Sequence, residues 1–285
     1  MKRSSWLLCS TTITLALLAS CETSKPVTDV SSSPGGAPAG AAGGRATAAG
    51  ESVESNGIRL TPFSDSPKFP EAQLQLRAPI GNSTVPSGEV AFNYQITNFL
   101  LTKMSGGPRM TMLANSEKGQ HIHNIVDNEP YTAHYDTKFN KAIPDGQHVV
   151  LSFLSRSYHE SLKHRGAYDL RVINVGKAAA AGTAPVLDVR APSLFYSRPK
   201  DTYSGADAKR IMLDFYLVNT TLEPGGNRVR ATINGTEFML DNWLPYMMEG
   251  LPAGENTVKL ELIDGGGNLI PGPYNSVTRK FTVAP

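Results

Sequence analysis

Cysteine is nearly absent from this chain, with two in 285 residues. Cys9 lies in a short apolar run, Leu7 to Leu18, behind Lys2 and Arg3. The run falls short of the roughly 20 apolar residues that a membrane-spanning helix takes. A positive start, a short apolar stretch and small residues at its end read as an export signal, residues 1–20, that is removed. Cys9 leaves with it, and Cys21 is the one cysteine expected to remain. No internal disulfide can then form, although the envelope would permit one. Stability has to come from apolar cores, and a chain of this length can bury two of them at about 100–150 residues each. An excess of one charge is missing as well: 27 basic residues face 25 acidic ones, and no basic stripe is interleaved with aromatics. That argues against nucleic acid as a partner.

Helical periodicity long enough for an α domain is missing, and so are catalytic signatures. There is no GxSxG elbow, no phosphate-cradling loop and no HExxH. Ser197-Arg198-Pro199-Lys200 matches SxxK in letters, but Pro199 opposes the helical turn on which serine and lysine would meet. The segment at 156–166, RSYHESLKHRG, has Ser, His, Glu and Lys close together and reads as a polar loop. The chain is therefore read as not an enzyme, with an envelope hydrolase as the weakest alternative.

What is present begins at Leu18-Ala19-Ser20-Cys21. These residues resemble the lipobox of bacterial lipoproteins. The resemblance implies that Cys21 becomes the mature N-terminus and carries lipid, which places the protein in the cell envelope, on the periplasmic face or the cell surface. Residues 21–56 follow, rich in Gly, Ala, Ser and Pro. Such a stretch cannot bury enough surface to offset its ordering entropy, so a disordered tether is expected.

Beyond it the chain reads as short strands separated by Pro, Gly, Asn and Asp, and it repeats itself. LQLRAP at 74–79 matches LDVRAP at 187–192, FNYQITN at 92–98 matches LDFYLVN at 213–219, and HIHNIVDN at 121–128 matches RVRATING at 228–235. IPDGQHVVLSFL at 143–154 matches LPAGENTVKLELI at 251–263. The order is the same in both copies, so two copies of one module are expected, 57–176 and 186–285, joined by a small-residue linker at 177–185. Modules of about 100 residues with some seven short strands are most economically β-sandwiches. The pattern resembles the immunoglobulin-like domains of bacterial surface lipoproteins, without the Cys…Trp…Cys core of antibody domains. The fold class expected is all-β: two tandem immunoglobulin-like sandwiches.

All six histidines fall between residues 121 and 164. Where the first copy has His121 and His123 the second has Arg228 and Arg230, so the fold does not require histidine there. Alternation along the strand puts the two imidazoles on one outward, exposed face, roughly 6.6 Å apart. Two such rings can share Zn²⁺ or Cu²⁺, with a third ligand from His134 in the following loop, or from His159, Glu160 or His164. The competing reading is a solvated polar face. His148 points inward at its strand's start, which argues against one site using all the histidines.

Two further features bear on partners. Val149, Leu151 and Phe153 make their strand apolar on both faces, and such a strand is usually covered on both sides. The cover is expected within this chain, from residues 57–73 or the second module, with another protein as the alternative. The stretch at 241–252 gathers Trp243, Tyr246 and Met247, either as a partner-binding patch or as a short helical plug. The function expected is non-catalytic binding or structural service at the envelope, with transition-metal binding or sensing by the first module as the rival. The partners expected are the membrane, through the lipid, and an envelope protein or glycan.

Overall fold

The computed structural model describes residues 50–177 and 187–285. The export signal, Cys21, the tether through residue 49 and all but the first residue of the expected linker lie outside the described residues. Among the described residues, no helix is long and apolar enough to cross a membrane.

The described chain enters as a hairpin, β1 (Val53–Ser55) and β2 (Ile58–Pro62). It turns at Asn56 and Gly57, with φ of 50° and 77°, the left-handed values that a two-residue hairpin loop requires. Eight strands follow: β3 (Gln73–Ala78), β4 (Thr84–Val85), β5 (Gly88–Thr97), β6 (His121–Val126), β7 (Thr132–His134), β8 (Lys138–Ile143), β9 (Gly146–Ser155) and β10 (Tyr168–Val175). They make two sheets, ordered β3-β5-β8 and β4-β10-β9-β6-β7. The second set is β11 (Ser193–Arg198), β12 (Thr202–Tyr203), β13 (Ile211–Val218), β14 (Arg228–Ile233), β15 (Thr236–Leu240), β16 (Tyr246–Glu249), β17 (Gly254–Ile263) and β18 (Ser276–Val283). Its sheets repeat the first plan, β11-β13-β16 and β12-β18-β17-β14-β15. The protein is all-β, two tandem immunoglobulin-like sandwiches.

Alternation decides which residues fill each sandwich. On β14, Val229, Ala231 and Ile233 point inward against Val258, Leu260 and Leu262 of β17. In the first sandwich Leu74, Leu76, Phe92 and Tyr94 meet Ile122, Val150 and Leu154. Three of the four repeat matches fall on equivalent strands. The fourth is corrected: Leu187 to Pro192 precede β11. The counterpart of Leu74–Pro79 is Leu194–Pro199, because β3 and β11 carry the same bulge, between Leu76 and Ala78 and between Tyr196 and Arg198. Each strand also ends on a cis X–Pro bond, Ala78–Pro79 and Arg198–Pro199. The shared letters Arg-Ala-Pro pointed to the wrong register.

The expected boundary at 56/57 is also corrected. β1 begins inside the expected tether, and β2 pairs with β16 of the second sandwich, Leu60 opposite Met248. Ile58 and Leu60 are buried in the second sandwich's core. The hairpin closes an edge that β16 would otherwise present to water as unpaired N–H and C=O groups.

The doubly apolar strand β9 is covered by the second sandwich. Ile125, Val149, Leu151 and Phe153 pack against Phe195, Tyr216 and Val218 of β11 and β13. Phe153 and Tyr216 stack with ring centroids 4.7 Å apart. A third apolar core thus lies between the sandwiches, and this explains why all eight residues of β13 are buried.

Candidate metal centre

His121, His123 and Ile125 share the face of β6 turned away from the first sandwich's own core, as alternation requires. That face is not solvated. Both imidazoles are fully buried, 0% exposed, because the second sandwich and the loop after β9 close over it. The expectation of an exposed polar face is corrected on that ground.

The third histidine is His159. After β9 the chain folds back on itself: His159 N–H donates to Arg156 O and Arg156 N–H donates to Glu160 O, both at 2.9 Å. His159 adopts the left-handed φ of 67°, uncommon for a side chain this large. The loop is pinned from several sides. Arg156 donates to Pro67 O and pairs with Glu160, Ser157 N–H donates to Ser105 Oγ, and Ser161 N–H donates to buried Asp214 of β13. The polar loop expected here is thus a packed one.

The pinning brings three ring nitrogens together. His121 Nε2 lies 2.9 Å from His123 Nε2 and 3.1 Å from His159 Nδ1. All three atoms fall within 4.8 Å of one another. Nitrogens bound to one ion at about 2.0–2.1 Å lie about 3.4 Å apart in a tetrahedral or trigonal set, so small rotations would seat one. His123 lies flat on Tyr131, with ring centroids 3.5 Å apart. Tyr135 stands beside His121 at 5.1 Å.

The proton positions follow from the neighbours. His121 Nδ1 is 2.8 Å from Gly119 O. A carbonyl only accepts, so Nδ1 carries the hydrogen and Nε2 presents its lone pair. A backbone acceptor behind a ring is the arrangement that orients metal-binding histidines. Tyr131 Oη accepts from buried Arg198 Nε at 3.0 Å, leaving its own hydrogen for His159 Nδ1 at 3.3 Å. His121 Nε2 then turns its lone pair toward His123 Nε2, whose hydrogen it can accept, while the lone pair of His159 Nδ1 is taken by the Tyr131 hydroxyl. Among the described residues His123 Nδ1 has no hydrogen-bond partner. A cation among the three nitrogens would take the place of the Tyr131 hydrogen bond to His159 and of the hydrogen between His121 and His123, and would bond to all three lone pairs. Burial holds His121 down to about 4, and it holds His123 and His159 well below the ordinary value, with Arg198 adding charge repulsion to each. All three are therefore neutral near pH 7, the form that binds metal.

The other expected ligands do not join. His134 pairs across the ladder with Ile122, and residues opposite each other share a face. It therefore points to the other side of the sheet and stacks on Phe139 at 3.3 Å. His164 donates from Nε2 to Phe69 O. Glu160 is taken by Arg156 and by Ser66 Oγ at 2.5 Å. His148 bonds to Asp127 and to Pro144 O.

Of the expected patch, Tyr246 and Met247 lie on β16 and are buried, 0% and 7% exposed. The segment is a strand, not a helical plug, because β2 supplies it with a ladder partner. Only Trp243 is half-buried. Its ring meets Tyr216 edge-on at 5.1 Å, its indole N–H donates to Phe215 O, and it lines a cleft of about 560 Å³ with Phe69, Leu162 and Lys163. There Lys163 Nζ donates to Ser161 Oγ at 2.6 Å and is paired with Asp214.

No family model and no curated relative matches this chain. Among solved structures it is similar to the fibronectin(III)-like modules of Clostridium thermocellum CbhA, at 8% identity and a TM-score of 0.26, over 74% of this chain and 94% of that one. It is also similar to SGBP-B of the Bacteroides ovatus mixed-linkage glucan utilization locus, in complex with a mixed-linkage heptasaccharide. That match has 10% identity and a TM-score of 0.22, over 74% of this chain and 47% of that one. A third is the central fibronectin-III array of RIM-binding protein, at 10% identity and a TM-score of 0.23, over 77% of this chain and 69% of that one. At these scores the likeness carries no argument about binding or activity.

Proposed function

We propose that this chain is a lipid-anchored envelope protein whose two joined sandwiches form a non-catalytic binding module, and that it binds a first-row transition-metal ion. The observation that carries the metal reading is the convergence of His121 Nε2, His123 Nε2 and His159 Nδ1 within 4.8 Å, from a strand and a loop that no local rule brings together. Neutral imidazoles suit zinc, copper, iron and nickel. The anchor rests on the sequence Leu18–Cys21. A glycan or envelope protein as a further partner has its best support in the Trp243 cleft at the seam.

The test is calorimetric titration of the full chain with zinc and copper, alongside His121→Ala/His123→Ala. One equivalent bound by the wild type and none by the variant is the expected result. Binding that ignores the substitutions would remove the histidines from the reading, and no binding would leave the cluster as a structural contact.

A further inference from the structure

We propose that the ion held by His121, His123 and His159 is monovalent copper, bound by three imidazoles with no fourth protein ligand. This rests on the metal reading above and specifies its ion.

The donor set comes first. Structural zinc sites are almost always four-coordinate, and catalytic ones, some with three histidines, need a water to complete the shell. The protein offers three nitrogens here. Tyr131 covers His123 face-on, and its hydroxyl is held between Arg198 and His159. The carboxylates around the loop are committed elsewhere, Glu160 to Arg156 and Asp214 to Lys163. Cu(I) has a closed d shell and is stable with three donors, and imidazole is among the ligands copper accepts.

Charge is the second argument. Among the described residues no carboxylate or thiolate belongs to the cluster, and the charged groups nearest it are the cations Arg198 and Lys200, the latter paired with Asp201. Arg198 is buried and one hydroxyl away from His159. Lys200 Nζ stands 4.6 Å from the centre of the Tyr131 ring. Desolvating an ion grows steeply with its charge, and repulsion from Arg198 and Lys200 scales with it. A monocation meets half the repulsion that Zn²⁺ or Cu²⁺ meets. Access is through His159, the one ring of the three that is not fully buried.

The experiment uses the full chain without oxygen and with ascorbate present. Cu(I) is titrated against a chromophoric Cu(I) chelator, and Zn²⁺ is titrated separately against a zinc indicator. One Cu(I) per chain is expected, bound more tightly than Zn²⁺. X-ray absorption should find three nitrogens at about 2.0 Å. His121→Ala/His123→Ala should abolish binding and His159→Asn should weaken it. Asparagine tolerates the left-handed backbone of residue 159, so that variant should fold, which its melting curve checks. The absorption measurement on the wild type keeps the proposal testable even if a variant does not fold. Zinc bound as tightly as Cu(I), and lost in the variants, would leave the metal site standing and overturn the cuprous assignment. Neither ion binding would overturn both. Cu(I) binding that persists in the variants would place the copper elsewhere.

Discussion

His148 Nδ1 lies 2.6 Å from Asp127 Oδ2, and the second sandwich repeats this bridge with other residues. There Asn234 Nδ2 donates to Asn256 Oδ1 at 2.7 Å. In both copies a side-chain nitrogen also reaches back to a proline carbonyl, His148 Nε2 to Pro144 O at 2.8 Å and Asn256 Nδ2 to Pro252 O at 2.9 Å. The carbonyl oxygen of Asn234 and a carboxylate oxygen of Asp127 each accept the next strand's N–H, from Thr257 and Val149, both at 2.8 Å. His148 is thus a turn residue of the module. Replacing it with Asn alone would set an amide oxygen against a carboxylate, at a cost of about 1–3 kcal/mol. Asp127→Asn/His148→Asn recreates the second copy's pair and should recover most of the loss. Urea unfolding of the two single variants and the double would show this coupling, and additive losses would disprove it.

Stability should depend on pH through the buried cluster. The folded values of His121, His123 and His159 are depressed by burial, so the unfolded chain binds more protons as pH falls below the ordinary histidine range. The folded state is then fully favoured above about pH 6.5 and loses stability as pH falls from there toward 4, by on the order of 3 kcal/mol for His121 alone. Denaturant midpoints at pH 7.5 and pH 5 measure this. His121→Ala/His123→Ala should flatten the slope. An unchanged slope would mean that the rings are charged or exposed.

The joint between the sandwiches has a central aromatic. Tyr216 stacks on Phe153 and donates its hydroxyl to Leu162 O at 3.0 Å. Truncation to alanine removes a large buried ring and leaves a carbonyl without its donor, so Tyr216→Ala should cost about 3–5 kcal/mol. Because that core is shared, the wild type should unfold in one calorimetric transition and the variant in two. Two transitions in the wild type would show that the sandwiches unfold independently.

The entry hairpin makes its own prediction. Leu60 is fully buried in the second sandwich, so Leu60→Ala should destabilise that sandwich by about 2–5 kcal/mol. Removing residues through 62 should uncover the edge of β16 and promote self-association. Light scattering of the truncated chain checks the second effect, and a monomer as soluble as the wild type would contradict it.

The proposed anchor is tested by Cys21→Ser. The unmodified chain should move from the membrane fraction to the soluble fraction, and it should lose the mass of the attached lipid. Retention in the membrane fraction would point to another anchor.

Short-range patterning along this chain already carries the strands, the two copies and the face of β6 on which His121 and His123 lie, because alternation and turn chemistry act between near neighbours. The Asn56-Gly57 turn of the first hairpin was readable by the same rule, and the surrounding small residues masked it. Tertiary structure decided everything that depends on contacts distant in sequence. The pairing of β2 with β16 lies almost two hundred residues apart, and only the ladder reveals it. Whether the face of His121 and His123 is wet depended on the second sandwich packing over it. The third histidine is His159, because Asp214, Pro67 and Ser105 pin its loop beside them. His134, nearer in sequence, is excluded by its pairing with Ile122, which turns its ring to the opposite side of the sheet.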